Sequence, residues 1–243
     1  MKISYKRELL SYDKVILSRG KEVRKRTTFI IISTIFTCLL LAFIEHGLNT
    51  NYAMKSISKI GLFLLNIWLY QVLFKDFRFL DVLTLKKFNQ RDLQRLLFLG
   101  VLSASIVLAA YYFFQPYFTI NQIKGDLTNR LGITTIGFIF VGLYITLINS
   151  FLEEYFFRGF VFFLLPRKMA YLFSPLLFAT YHIPMIALWF SPILIGICFI
   201  GLWLIAIIFH RVNEKDRTIW SSWIIHICAD IMIISIGITF FYF

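Results

Sequence analysis

Charge is what this chain has least of. Of its 243 residues, 16% are Asp, Glu, Lys or Arg, where a soluble domain carries about 25%. Acidic residues are the scarcer kind, 13 against 25 basic ones. Three cysteines, none in a CxxC pair, exclude a disulfide scaffold and read as small core residues. Twelve Gly and five Pro exclude a collagen-like chain. No Gly/Ser or Pro-rich linker and no internal repeat divides the sequence. What it has in excess is apolar: 59% of residues, with a mean hydropathy of +0.76. No single water-soluble core hides that much apolar surface, and a disordered chain would have far less of it. The expected fold is all-α, a polytopic transmembrane helical bundle.

A helix needs about 20 apolar residues to cross a bilayer. Candidate spans run over 27–44, 57–74, 96–115, 131–152, 170–190, 192–209 and 219–243, seven in all, with six to eight as the range. The apolar stretch 155–165 either extends the fourth span or forms a short helix ending at Pro166. The first span follows Arg24-Lys25-Arg26 with no small-residue cleavage site behind it, so it reads as a retained signal anchor. Basic residues alternate between the two sides, 21 against 4 along the whole chain. That bias predicts a cytoplasmic N-terminus. It also accounts for the net charge of +12 without nucleic acid, since no nucleic-acid-binding pattern accompanies it. Residues 1–26 hold nine of the basic residues. They form either an interfacial helix on the inner leaflet or a solvated basic tail. Residues 27–125 are read as the N-terminal transmembrane helices.

In lipid the informative residues are ionisable, because each costs about 2.5–3.5 kcal/mol at mid-helix. Glu45, His46 and His210 fall at span ends and read as boundary residues; other charged positions, Lys55 and Lys59 included, read as loop residues. Glu153, Glu154, Arg158, His182, His226 and Asp230 remain. Glu154 and Arg158 are i and i+4 and can pair on one helix face. Glu153 points elsewhere, without that partner. The plain alternative is two carboxylates marking the inner end of a span. His182 precedes Pro184, which should kink or break the helix and open room beside it; otherwise it is an interhelical hydrogen-bonding residue. His226 and Asp230, again i and i+4, suit a carboxylate orienting an imidazole, two ligands of one metal, or a private hydrogen bond. By the expected topology, Glu153 ends its span on the cytoplasmic side, and all of these groups can meet in one cytoplasm-facing cavity in the inner half of the bilayer. Two carboxylates, two imidazoles and a further Asp supply bases, proton shuttles and potential ligands for a hydrolysis.

Several intramembrane hydrolases are excluded by missing residues. There is no His-Glu-x-x-His for a zincin, no Gly-x-Ser-Gly for a rhomboid-like serine enzyme, and no second intramembrane Asp for an aspartyl dyad.

The ordered stretches Glu153-Glu154-x-x-x-Arg158-Gly159, Phe178-x-x-x-His182 and His226-x-x-x-Asp230 resemble the three motifs of the CAAX prenyl endopeptidase and bacteriocin-processing family of intramembrane proteases. The resemblance covers roughly residues 130–243, so 126–243 is read as the catalytic membrane region. It implies a helical bundle in the bacterial plasma membrane that hydrolyses a peptide bond in a membrane-associated peptide or protein. Glu153 resembles the water-activating base and His182 its partner. Glu154 with Arg158 resembles the pair that holds the motif, and His226 with Asp230 the oxyanion-binding pair. Many members have Asn in place of Asp230, and an ionised Asp cannot donate to an oxyanion, so Asp230 could instead orient His226 or ligate a metal. The expected mechanism is metal-free; the alternative is one divalent metal such as zinc on Glu153, His182 and His226. The alternative function is a non-proteolytic immunity factor or scaffold that binds a bacteriocin or an envelope protein.

Overall fold

The computed structural model describes residues 2–85 and 88–242, with side chains from Gly20 onward. It is 86% helical without strands among the described residues. Seven of those helices are long and apolar enough to cross a bilayer: Gly20–Gly47, Tyr52–Phe74, Gln90–Tyr117, Thr135–Phe162, Arg167–Ile186, Pro192–Glu214 and Trp220–Tyr242. The expected all-α polytopic bundle is therefore what the chain forms. The first span is the second part of a single helix, α1 (Lys2–Gly47). The basic segment thus continues into it as helical backbone, while the setting of its side chains up to residue 19 lies outside the described residues.

After α1 come α2 (Tyr52–Phe74), α3 (Gln90–Phe114), the short α4 (Ile120–Gly125), α5 (Thr135–Leu143), α6 (Ser150–Glu153), α7 (Arg167–Ile186), α8 (Pro192–Glu214) and α9 (Trp220–Tyr242). Capping residues set several of the starts, where the first backbone N–H groups lack partners within the helix. The side chain of Asn51 accepts from Met54 N at 3.0 Å, Asn89 from Asp92 N at 2.8 Å and Thr134 from Gly137 N at 3.0 Å. Pro192 opens α8, where its missing N–H costs nothing.

The fourth span departs from the expected boundary. It does not stop near residue 152 but runs on to Phe162, so Glu153 lies inside the helix and not at its end. Its α-helical pieces alternate with π-helical turns at Tyr144–Asn149 and Glu154–Phe162. Such turns are usually short and often accompany functional sites. The physical reason for the extension is burial: every residue from Glu154 to Phe162 is buried, so the two carboxylates find protein partners inside the bundle. Aromatic packing fixes this central rod. Phe156 stacks on Phe63 of α2 with ring centroids 3.9 Å apart, Phe160 meets Tyr70 edge-on at 5.3 Å, and Phe157 meets Phe178 of α7 edge-on at 5.3 Å.

Around this rod α7 packs on α8, α1 on α2, and α3 on α9. The last pair comes close at Gly100, where an added Cβ would lie 2.7 Å from the Cys228 sulfur. All three cysteines are free and partly buried. Pro175 and Pro184 both lie within α7, which ends at Ile186, two residues after the second. The expected helix break is thus a helix end, four residues short of the hydropathy boundary.

Both ends of the bundle are tied by polar contacts. At one, the 75–85 segment folds against the rod: Tyr155 Oη donates to Phe79 O at 3.2 Å, Ile219 N to Val82 O at 3.1 Å and Trp220 Nε1 to Leu83 O at 3.0 Å. Arg26 pairs with Asp76 there. At the other, Glu45 Oε1 accepts from Lys55 Nζ at 3.0 Å and from Arg130 Nη1 at 2.8 Å. Arg130 Nε donates to Asp126 Oδ1 at 2.6 Å, and Trp189 Nε1 to Asp126 Oδ2 at 2.9 Å. Burial raises the Asp126 carboxyl, but the hydrogen bonds from Arg130 and Trp189 outweigh it and hold the group below its ordinary value. Two loop assignments are corrected here. Lys55 and Lys59 belong to α2, and Lys55 is buried.

Candidate active site

Glu153 closes α6 and Glu154 opens the π-helical turn after it, so two adjacent carboxylates leave one rod in different directions. Both are buried, at 2% and 0% exposure. A carboxylate that deep is stable as a charge only with dedicated partners. Each has its own set.

Around Glu153, Oε1 accepts from Asn149 Nδ2 at 2.9 Å, from Tyr181 Oη at 3.2 Å and from Lys59 Nζ at 3.5 Å. Asn149 is one helical turn earlier on the same span, Tyr181 is on α7 and Lys59 on α2. The other oxygen, Oε2, faces His182 Nε2 at 3.6 Å. That imidazole is oriented from behind, because its Nδ1 lies 2.8 Å from the backbone carbonyl of Phe178. A carbonyl can only accept, so Nδ1 carries the proton, and in the neutral ring Nε2 is left as an acceptor.

Glu154 is sealed in. Its Oε1 lies 2.9 Å from His226 Nδ1 and 3.1 Å from Arg158 Nη1, and its Oε2 accepts from the Ser222 hydroxyl. Ser222 is itself held by Asn213 of α8, whose Nδ2 donates to the hydroxyl oxygen at 2.6 Å and whose Oδ1 accepts from Ser222 N at 3.1 Å. Arg158 is completely buried. Its contact with Glu154 has ion-pair proximity without hydrogen-bond alignment. The guanidinium lies between two rings, 4.1 Å from the Phe178 centroid and 4.8 Å from that of Phe209. Cation–π contacts of this kind are worth about 2 kcal/mol or more when desolvated.

The expected Glu154–Arg158 pairing is therefore present, and Glu153, His182, His226 and Asp230 lie in the same interior region. The His226–Asp230 relation differs from expectation. His226 Nε2 is 3.8 Å from Asp230 Oδ1, beyond hydrogen-bond range, and Asp230 Oδ2 is buried without a hydrogen-bond partner. The ring is instead oriented through Nδ1 by Glu154, from another helix. The i, i+4 spacing placed imidazole and carboxylate on one face, but the closer acceptor comes from across the bundle.

His210 is a second correction. It is not a boundary residue: it is fully buried within α8, packed against Phe162 with tilted rings and centroids 4.0 Å apart. Lys59, Asn149, Tyr181, Ser222 and Asn213 were not singled out from the sequence. Two of them had a readable signal, since Asn149 and Ser222 each precede a motif residue by four positions. Lys59 and Asn213 come from other helices, and no local spacing reveals them.

Glu153, His182 and His226 do not fit a metal centre in this arrangement. Among the described residues no three His, Cys, Asp or Glu side chains are grouped to hold an ion. His226 directs Nδ1 to Glu154 and faces Asp230 with Nε2.

A family model described as type II CAAX prenyl endopeptidase Rce1-like matches residues 135–232, from the first residue of α5 to two residues past Asp230. No curated protein and no solved structure matches the chain. The matched region contains the whole fourth span, α7, α8 and the half of α9 that carries His226 and Asp230. Over this region, which is less than half of its length, the chain is similar to the type II CAAX prenyl endopeptidase Rce1-like family.

Proposed function

We propose that the chain is an intramembrane endopeptidase that cleaves a membrane-associated peptide or protein, with Glu153 as the general base. One observation carries this reading: Glu153 Oε2 and His182 Nε2 face each other at 3.6 Å, and with Nδ1 donating to Phe178 O a neutral His182 ring makes both of them acceptors. A molecule that brings two protons satisfies both, and water does so. Held there, water gives one proton to Glu153 Oε2 while its oxygen attacks the scissile carbonyl carbon. The proton then passes to the leaving amine as the C–N bond breaks. A base in this position contributes about 10²–10⁴-fold. The carbonyl oxygen becomes an oxyanion during the attack, and His226 in its protonated form offers Nε2–H to it. Its orientation is held by Glu154, Ser222 and Asn213. One such donor is worth roughly 10²–10³-fold in rate.

With the N-terminus in the cytoplasm, as the charge bias indicates, substrates reach the site from that side. The test works without an identified substrate. Membranes holding the wild-type chain and membranes holding Glu153→Gln, at equal abundance, are compared by mass spectrometry of peptide termini. A set of termini made only by the wild type supports the enzyme. Identical termini, with full phenotype from Glu153→Gln, overturn it in favour of a non-proteolytic membrane factor that binds its target.

A further inference from the structure

We propose that Lys59 is a positioning residue for the hydrolysis, acting through Glu153, and that through it the first half of the chain takes part in the active site. The inference rests on the reading of Glu153 as the base. Lys59 lies on α2, well before the matched region begins at residue 135. Nothing in the three motifs points to it.

The geometry gives Lys59 a directional role. Its Nζ donates to Asn149 Oδ1 at 2.7 Å, and Asn149 Nδ2 donates to Glu153 Oε1 at 2.9 Å. An ammonium can only donate and a carboxylate can only accept. The amide between them therefore has one possible orientation, oxygen toward Lys59 and nitrogen toward Glu153. Lys59 also reaches Glu153 Oε1 itself at 3.5 Å, and lies over the Tyr181 ring at 5.4 Å from its centroid. With Tyr181 Oη at 3.2 Å, three donors converge on Oε1. They fix the carboxylate plane and leave Oε2 as the oxygen that faces His182. Among the described residues, Lys59 is the Lys or Arg in salt-bridge contact with this carboxylate. It supplies the positive charge that a buried anionic base requires.

Lys55, one turn earlier on α2, serves as an internal comparison. It pairs with Glu45 at 3.0 Å, away from the motif residues. The two lysines share a helix face and a residue type, and only the second touches the proposed base.

The test uses the purified full-length chain in detergent. The infrared difference between wild type and Glu153→Gln should show an ionised carboxylate. The difference between Lys59→Met and Lys59→Met/Glu153→Gln should show a protonated carbonyl stretch instead. In membranes, Lys59→Met should lower the yield of wild-type-only termini per molecule by roughly tenfold or more, as weakening a general base does. Lys59→Arg should restore most of it. Lys55→Met should lower abundance while leaving yield per molecule unchanged. Should Lys59→Met fail to accumulate, Lys59→Gln keeps a donor for Asn149 without the charge and should show the same loss. An ionised carboxylate that persists without Lys59, or an unchanged yield per molecule, overturns the proposal. If Glu153→Gln itself keeps every terminus, the hydrolytic reading falls, while the infrared comparison still decides whether Lys59 sets the state of Glu153.

Discussion

Glu153 and Glu154 are neighbours in sequence and opposites in environment. Glu154 spends both oxygens on fixed partners, Ser222 on one and His226 with Arg158 on the other. Glu153 concentrates its donors on Oε1 and leaves Oε2 facing His182 Nε2 at 3.6 Å. Burial is nearly the same for both, so burial does not separate the enclosed Glu154 from the proposed base. What separates them is the count of satisfied lone pairs. A carboxylate with every acceptor site filled holds a structure together, and one with an oxygen in reserve can take a proton.

The largest expected effects come from exchanging these roles. Glu153→Gln should lower turnover by about 10²–10⁴-fold while abundance stays at the wild-type level. Glu154→Gln should fail differently, because it strands Arg158 as a buried cation. Arg158→Ala should do the same from the other side, leaving Glu154 without its cation. Breaking one partner of a buried pair costs about 3–5 kcal/mol. Both Glu154 and Arg158 variants should therefore accumulate poorly and unfold at lower temperature in detergent. If Arg158→Ala is as stable as the wild type, Glu154 is not the structural member of the two.

A smaller effect sharpens the same contrast. Ser222→Ala removes the hydroxyl that donates to Glu154 Oε2 and accepts from Asn213. Leaving a buried acceptor unsatisfied costs about 1–3 kcal/mol. The variant should show a lowered melting temperature with turnover per folded molecule largely kept, measured by thermal scanning alongside the terminus assay. A stable Ser222→Ala with lost turnover would move Ser222 from support into the chemistry.

The seven spans and the six polar motif residues were legible in the sequence because lipid makes an ionisable residue expensive, so the few that occur inside spans stand out. The partners of those residues were less legible, and the reason is geometric. Spacing along one helix shows which groups share a face, as with Glu154 and Arg158. It cannot show which helix lies opposite. Asp230 was the readable partner of His226 at i+4, yet Glu154 is nearer, at 2.9 Å against 3.8 Å. Lys59 was hidden for a related reason. At the start of an apolar run a lysine looks like a loop residue, and only packing against the fourth span shows what it faces. His210 was misplaced by the same logic of position: it stands beside Arg211, where a basic run begins in the last turn of α8, but its ring is packed on Phe162.

The smallest expected effect concerns Asp230, and it discriminates between mechanisms. Its Oδ2 is buried without a hydrogen-bond partner and its Oδ1 is 3.8 Å from His226 Nε2, so the carboxylate neither orients the ring nor is itself held. Asp230→Asn replaces an acceptor with an amide that can donate to a developing oxyanion. Since Glu154 already fixes His226, the substitution should keep turnover at the wild-type level or raise it, and strong chelators in detergent should leave turnover unchanged. A zinc-dependent mechanism makes the reverse forecast. Damaging a residue that supports a metal ligand costs roughly 10–100-fold, and chelation would abolish turnover until zinc is returned. Elemental analysis of the purified chain decides the matter beside the kinetics. About one equivalent of zinc per molecule, with turnover lost on its removal, would overturn the metal-free reading and give the unpaired oxygen of Asp230 a different use.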